Sequence, residues 1–379
     1  MKRSKNYYRA IAVMVGYIVG VGMFGLPFLT VKAGVFSFFI FLVSLGLVQY
    51  LLHIVYANLI IETPGFHRMP GYVGIYMGKG GKISVFIAKL IGNYGALLAY
   101  IIVSGNFLYQ LLNKFWGGTP FIYATIVFGL ESIIVFFGIK AIARAELYIS
   151  TLLLLVVGLM AVRGWGVIDI ENFTSLNIKN IILPYGAMLM ALDGAGSLPI
   201  VAKLVNKNKT EIKSIIRVSM IISIIITTVF TLTIVGISGA QTSEDALTGV
   251  RSVLDDGVIV LALIFGVFSM MTSVFGVAES VKETLWWDFK VNEKLSWFLA
   301  VSVPYLLYCL GLTSLVRVIS FIGAVGGGFA AIMLILVFKK LKKQDKLSLF
   351  TIKPHKFLLY LLIFLFTCGM LYELYFFFK

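Results

Sequence analysis

The sequence predicts an all-α polytopic membrane protein, arranged as two five-helix units of opposite orientation followed by an eleventh helix. Three observations predict it. Apolar runs of about 20 residues recur from end to end, each long enough to cross a bilayer as a helix. The first and sixth of these runs are interrupted at their centres by glycines and a Leu-Pro pair. Most of the 32 Lys and Arg residues fall in every second connecting segment.

Composition sets the class. The 379 residues are 60% hydrophobic and 13% charged, whereas a soluble domain has roughly 45–50% apolar and about 25% charged residues. No polar segment is long enough to fold as a soluble domain. The hydrocarbon region offers no water to backbone N–H and C=O groups, so helices are the default. Nothing in the runs alternates as barrel strands do. A net charge of +15 would suggest nucleic acid for a soluble chain; here basic cytoplasmic loops explain it, and no nucleic-acid partner is expected. Cys309 and Cys368 lie in apolar runs and read as small hydrophobes, without disulfide or metal spacing. "MKRSKNYYRA" precedes an apolar run with no small-residue cleavage site, so it opens the first membrane helix.

Eleven spans are expected, at 7–33, 35–61, 83–112, 119–139, 141–163, 181–203, 211–239, 257–283, 295–312, 314–338 and 356–378. Residues 1–163 form the first five-helix repeat and 181–338 the second; 339–379 hold a basic loop and the eleventh helix. Five is odd, so the second unit enters the membrane from the opposite side. With the N-terminus in the cytoplasm, the basic segments around Arg9, Arg68, Lys140, Lys209, Lys290 and Lys339 all lie inside. The expected location is the inner (cytoplasmic) membrane, multi-pass, with the C-terminus outside. The lysines between 339 and 356 read as a topology signal, with anionic lipid as the competing role.

The first run contains "GYIVGVGMFGLPF" (Gly16 to Phe28) and the sixth "NIILPYGAMLMALDGAGSLPIVAKLV" (Asn180 to Val205). Each break leaves backbone groups unpaired at membrane depth, tolerable only where they face a cavity or a guest. Broken helices present positive N-terminal and negative C-terminal ends. Such a pair suits a zwitterion, with N–H groups for a carboxylate and C=O groups for an ammonium or a cation. An amino acid is the natural guest. Paired interruptions in matching halves are the sequence pointer to a transporter's binding site; the competing reading is kinks and close packing, for which membrane helices also use Gly and Pro.

Asp193 sits in the second break, where an unpartnered carboxylate is expensive. It could carry a coupling proton, pair with a substrate ammonium, or bond loose backbone amides. Glu131, mid-way along the fourth run, is a second proton-coupling candidate, set against a structural carboxyl. Lys89, Glu146 and Glu279 lie near cytoplasmic ends and are expected to snorkel. Thr272 and Ser273 are adjacent hydroxyls in the eighth run; they suit a small cation, though such groups often bond their own backbone. "GAVGGGFAA" (Gly323 to Ala331) offers a small-residue packing face. The three histidines, His53, His67 and His355, are scattered, and no catalytic constellation stands out, so an enzyme is not expected. "GVGMFG" lacks the spacing and later acid of a dinucleotide loop.

"GVGMFGLP" (Gly20 to Pro27) resembles the broken first helix of the amino acid–polyamine–organocation superfamily. "PYGAMLMALDGAGSLP" (Pro184 to Pro199) and "FIGAVGGGFAAIML" (Phe321 to Leu334) resemble the sixth and tenth helices of the amino acid/auxin permeases. "ETPGFHRMPGYVGIYMGKGGK" (Glu62 to Lys82) is similar to a loop of the hydroxy/aromatic amino acid permeases. The resemblance implies the leucine-transporter-type fold, a 5+5 inverted repeat with discontinuous helices 1 and 6 plus an eleventh helix. It implies cation-coupled symport of an amino acid, neutral or aromatic, by alternating access. An exchanger, a facilitator and a non-transporting sensor are the alternatives. By position it places Gly20, Val21, Gly22, Met23 and Phe24, with Ala191, Asp193, Gly194 and Gly196, at the substrate. It maps a sodium site onto Gly16, Val19, Thr272 and Ser273. The fifth run lacks the mid-membrane lysine of some proton-coupled relatives. Sodium and proton both stay open, no cofactor is expected, and the partners are the substrate and the bilayer, with no obligate protein partner evident.

Overall fold

The structure is a computed structural model. It describes residues 6–65, 67–137, 148, 152, 155–173, 176–254, 256–350 and 354–378, with only the backbone at 287 and 288. Its helices are α1 (Tyr7–Ile18), α2 (Leu26–Ala33), α3 (Val35–Glu62), α4 (Met69–Trp116), α5 (Pro120–Phe137) and α6 (Leu155–Gly164). They continue as α7 (Pro184–Ala191), α8 (Leu198–Leu204), α9 (Lys209–Ser238), α10 (Leu247–Arg251) and α11 (Gly257–Glu283). The last are α12 (Glu293–Cys309), α13 (Leu315–Phe321), α14 (Gly328–Lys343) and α15 (Lys356–Phe378).

Among the described residues, eight helices are long and apolar enough to span a membrane, or nine when the bent pair α1 and α2 is included. The expected ninth run is the shorter helix α12, with Pro304 inside it. Most of the expected fifth run, with Lys140, Arg144 and Glu146, lies outside the described residues; α6 is the part described.

Both anticipated breaks are present. The α1 and α2 axes bend by 47°, with a single 3-10 turn over Val21–Met23 between them. Pro27 occupies the first turn of α2, where its missing N–H costs nothing and its φ is already helical. The sixth run repeats the device: α7 stops at Ala191, a 3-10 turn covers Ala195–Ser197, and Pro199 opens α8.

Two elements differ from expectation. The connection after α3 is helical from Met69 and continuous with the third span, bending at Gly78. Gly78 has φ +74°, a conformation that costs glycine little and a side-chain-bearing residue much. The tenth run is also interrupted, by a π turn over Ile322–Gly327. There the small-residue face makes its closest approach. A Cβ on Gly323 would fall on the carbonyl oxygen of Gly186 in α7 and stand 3.0 Å from the Met190 nitrogen. Gly323→Leu is therefore expected to cost about 3 kcal/mol, the upper end of overpacking, or to prevent folding, read as thermal unfolding in detergent.

α4 is the central strut, packing on α11, α5, α14 and α12. α7 packs on α13 and the π turn, and α3 on α9, α14 and α7. Polar side chains tie these helices where backbone groups are exposed. Gln49 of α3 donates to the Leu189 carbonyl (2.9 Å) and Ser37 to the Ile181 carbonyl (2.7 Å). Buried Asn58 donates to the Lys346 carbonyl and accepts from the Leu349 N–H, anchoring the loop after α14.

Candidate functional site

The two breaks meet. A Cβ at Gly22 would stand 2.9 Å from the Ala191 Cα and 3.0 Å from its nitrogen, so the first 3-10 turn lies directly on the end of α7. Only glycine allows that approach. Beside it, Phe24 is buried edge-on against Phe107 and Phe230, at ring centroid distances of 5.6 and 5.4 Å. Gly194 rests on Ile18 and Met14 of α1, and Gly196 on the Tyr17 ring.

A charged group occupies the second break. The Asp193 Oδ1 accepts the Ala195 N–H at 2.9 Å. Its Oδ2 stands 3.8 Å from the Lys89 Nζ of α4. On its other side, His53 of α3 places Nε2 at 3.9 Å from Oδ1 and accepts the Gly194 N–H at 2.9 Å. His53 is fully buried, whereas the side chains of Asp193 and Lys89 are 32% and 28% exposed. Water thus reaches the carboxylate and the ammonium but not the imidazole.

The water comes from an open cavity of about 720 Å³, counting the solvent at its mouth. Its walls include Tyr17, Tyr56, Phe86, Lys89, Asn93 and Gly196, and Arg68 stands at the α3–α4 connection. The cavity joins cationic groups to aromatic faces, a combination suited to a carboxylate attached to an aromatic or apolar side chain.

The structure brings together part of what the sequence singled out. Gly22 of the first break lies on Ala191, while Gly194 and Gly196 of the second break lie on Ile18, Met14 and Tyr17 of α1. Val21, Gly22, Met23, Phe24 and Ala191 are buried, while Gly20 faces open space. Asp193 does bond a loose backbone amide, one of its three anticipated roles, and also holds an ion pair. Lys89, expected to snorkel, instead turns to Asp193, because a carboxylate within 4 Å offers it more than a distant interface. Glu279 pairs with Lys282 at 2.9 Å. Glu131 is buried in a separate small cavity with Ser132 and Pro304, away from the breaks. Thr272 donates its hydroxyl to the Ser269 carbonyl of its own helix at 2.9 Å. The main neighbours of α11 are α4, α12 and α5, those of α1 are α9 and α8. Gly16 of the expected sodium site lies in α1 and Val19 just after it, while Thr272 and Ser273 lie in α11. His53 was missed; its only sequence signal was an imidazole in an otherwise apolar run.

Among the described residues, two interrupted helices touch at their breaks with a charged group and an open cavity beside them, the architecture of the leucine-transporter fold. The chain is similar over 98% of its length, with a TM-score of 0.69 and 15% identity, to 98% of MhsT in its crystal structure in complex with L-phenylalanine. At that identity the likeness shows the fold. No curated protein matches the sequence. The chain belongs to the tryptophan/tyrosine permease family, whose model matches residues 3–373. It is a multi-pass membrane protein and an amino acid permease, and not an enzyme.

Proposed function

We propose that this permease is a proton-coupled symporter of aromatic amino acids in the cytoplasmic membrane, working by alternating access. The observation that carries this reading is the junction of the two breaks beside the partly exposed Asp193–Lys89 pair. The family's description names tryptophan and tyrosine, and MhsT is seen with L-phenylalanine. The aromatic walls supplied by Tyr17, Tyr56 and Phe86 support such a side chain here. Substrate would sit at Gly20–Phe24 and Ala191–Gly196, its carboxylate on the free N–H groups of the breaks.

The basic segments favour an N-terminus in the cytoplasm. In that orientation the cavity beside Arg68 and Lys89 opens inward. The repeats at 1–163 and 181–338 would then rock one helix group against the rest around the site.

The coupling ion favoured is the proton. Asp193 is a titratable group in contact with the break and with water, while the Thr272 hydroxyl already serves its own helix. Liposome uptake tests this. With L-tryptophan outside, an imposed proton gradient is expected to drive accumulation, and a sodium gradient alone is not. Thr272→Ala with Ser273→Ala should leave proton-driven uptake within about twofold. Sodium-dependent uptake that the double substitution abolishes would replace the proton reading with the sodium site.

A further inference from the structure

We propose that His53 holds the coupling proton and, through Nε2, controls whether the Gly194 N–H is available to substrate. This rests on the proton-coupled reading above and adds the residue and the switch.

The geometry assigns the state of the ring. Nε2 accepts the Gly194 N–H at 2.9 Å, so it carries no proton. The neutral ring then bears its proton on Nδ1, which is buried and has no hydrogen-bond partner. The imidazole is therefore held to its surroundings by hydrogen bonding at one atom, and that atom is its basic one. A proton arriving at Nε2 turns an acceptor into a donor facing another donor, and the bond to Gly194 breaks. The acceptor nearest to hand is Asp193 Oδ1, at 3.9 Å.

Lys89 completes the device. Its ammonium stands 3.8 Å from the other oxygen of the same carboxylate. With Lys89 in place, a protonated His53 shares one anion with a like charge. With Lys89 drawn away, it has the carboxylate to itself. α4, which carries Lys89, and α3, which carries His53, are separate helices, so their relative movement changes this balance. The side chains of Asp193 and Lys89 are both partly exposed, which gives a proton a polar route to the site.

Other titratable and charged groups near this cluster are Tyr56 on α3, Tyr17 on α1 and Arg68 beside α4. Lys203 of α8 and Lys32 of α2 lie in the last turns of those helices. α9 and α14 also pack on α3 and carry their charges near one end, Lys209 to Arg217 and Lys339 to Lys343. α7 has no charged residue between Pro184 and Ala191.

Release of the Gly194 N–H adds a donor at the break where the substrate carboxylate is placed. Proton and substrate then bind with mutual preference, and by linkage each strengthens the other by the same factor. An imidazole ordinarily changes charge between about pH 5 and 8, the range that the two test conditions span.

The test uses full-length protein in detergent with radiolabelled L-tryptophan as probe, at pH 5.5 and pH 8. Wild type is expected to bind about tenfold tighter at pH 5.5, within the usual range of coupling between two sites. His53→Gln offers an amide oxygen to Gly194 but does not titrate. It is expected to show one affinity at both pH values, close to wild type at pH 8, and to lose proton-driven accumulation in liposomes. A His53→Gln protein that keeps the tenfold pH dependence overturns the assignment and leaves the proton-coupled reading standing. Wild type that fails to accumulate L-tryptophan on a proton gradient overturns both. If His53→Gln does not bind, His53→Asn decides. A flat pH response supports the proposal; a sloped response, or no binding, makes the ring structural and overturns it.

Discussion

Asp193→Asn is expected to lower the initial rate of L-tryptophan uptake in proteoliposomes by at least about 100-fold, with the fold kept. Asparagine preserves the oxygen that accepts the Ala195 N–H at 2.9 Å, so the second break keeps its turn. It removes the charge. Lys89, 3.8 Å away, then has no anion, and a protonated His53 would face a neutral amide oxygen in place of a carboxylate. Stripping one partner from a fully buried pair costs about 3–5 kcal/mol. Both side chains here reach cavity water, so the stability cost should be smaller, about 1–2 kcal/mol after solvent screening. The transport loss should therefore far exceed the shift in melting temperature. Lys89→Met alone is expected to impair transport as well, and a double variant more stable than the sum of the two single destabilisations predicts would show the pair's coupling. Uptake by Asp193→Asn within twofold of wild type would take the carboxylate out of the mechanism.

Gly22→Leu is expected to abolish L-tryptophan binding and to destabilise the protein together. The Cα and nitrogen of Ala191 occupy the space a first side-chain carbon would need, at 2.9 and 3.0 Å. Backbone cannot rotate aside as a side chain can, so the two breaks must separate. Overpacking of this kind costs about 1–3 kcal/mol, and here it falls on the junction that forms the site. Gly20→Ala is the matching control. Its neighbourhood is open and its φ of −139° is one that any residue adopts. Melting temperature should stay near wild type for Gly20→Ala, and an equal loss of stability from both substitutions would mean that close contact is not what Gly22 supplies.

The two breaks were legible in the sequence because their signal is local. Gly20–Gly22 and Asp193–Gly196 announce themselves because glycine, proline and a carboxylate are anomalous in an apolar run, and the anomaly is visible without knowing any neighbour. Pro27 and Pro199 likewise mark where each helix resumes. The depth to which Val21, Met23 and Phe24 are buried was not legible, since hydrophobic residues in a membrane helix serve lipid, core and cavity equally well. The helical stretch from Met69 was also missed. Its glycines and prolines read as a loop, yet Pro70 sits in a first turn and Gly78 absorbs the bend.

The sequence by itself determined that this chain spans the membrane many times, that two spans are broken in matching places, and that one break carries a carboxylate. Hydropathy and helix-breaking residues act over a few positions along the chain, so a linear string suffices for them. Only the tertiary structure decided that the breaks touch through Gly22 and Ala191, and that Asp193 is answered by Lys89 and His53. Those partners lie far apart in sequence, and the polar residues of α3, among them Gln49, His53 and Asn58, do not by themselves say which helix they meet. The rotation of α3 and α4 about their axes set that meeting, and packing against α7, α9 and α11 set the rotation.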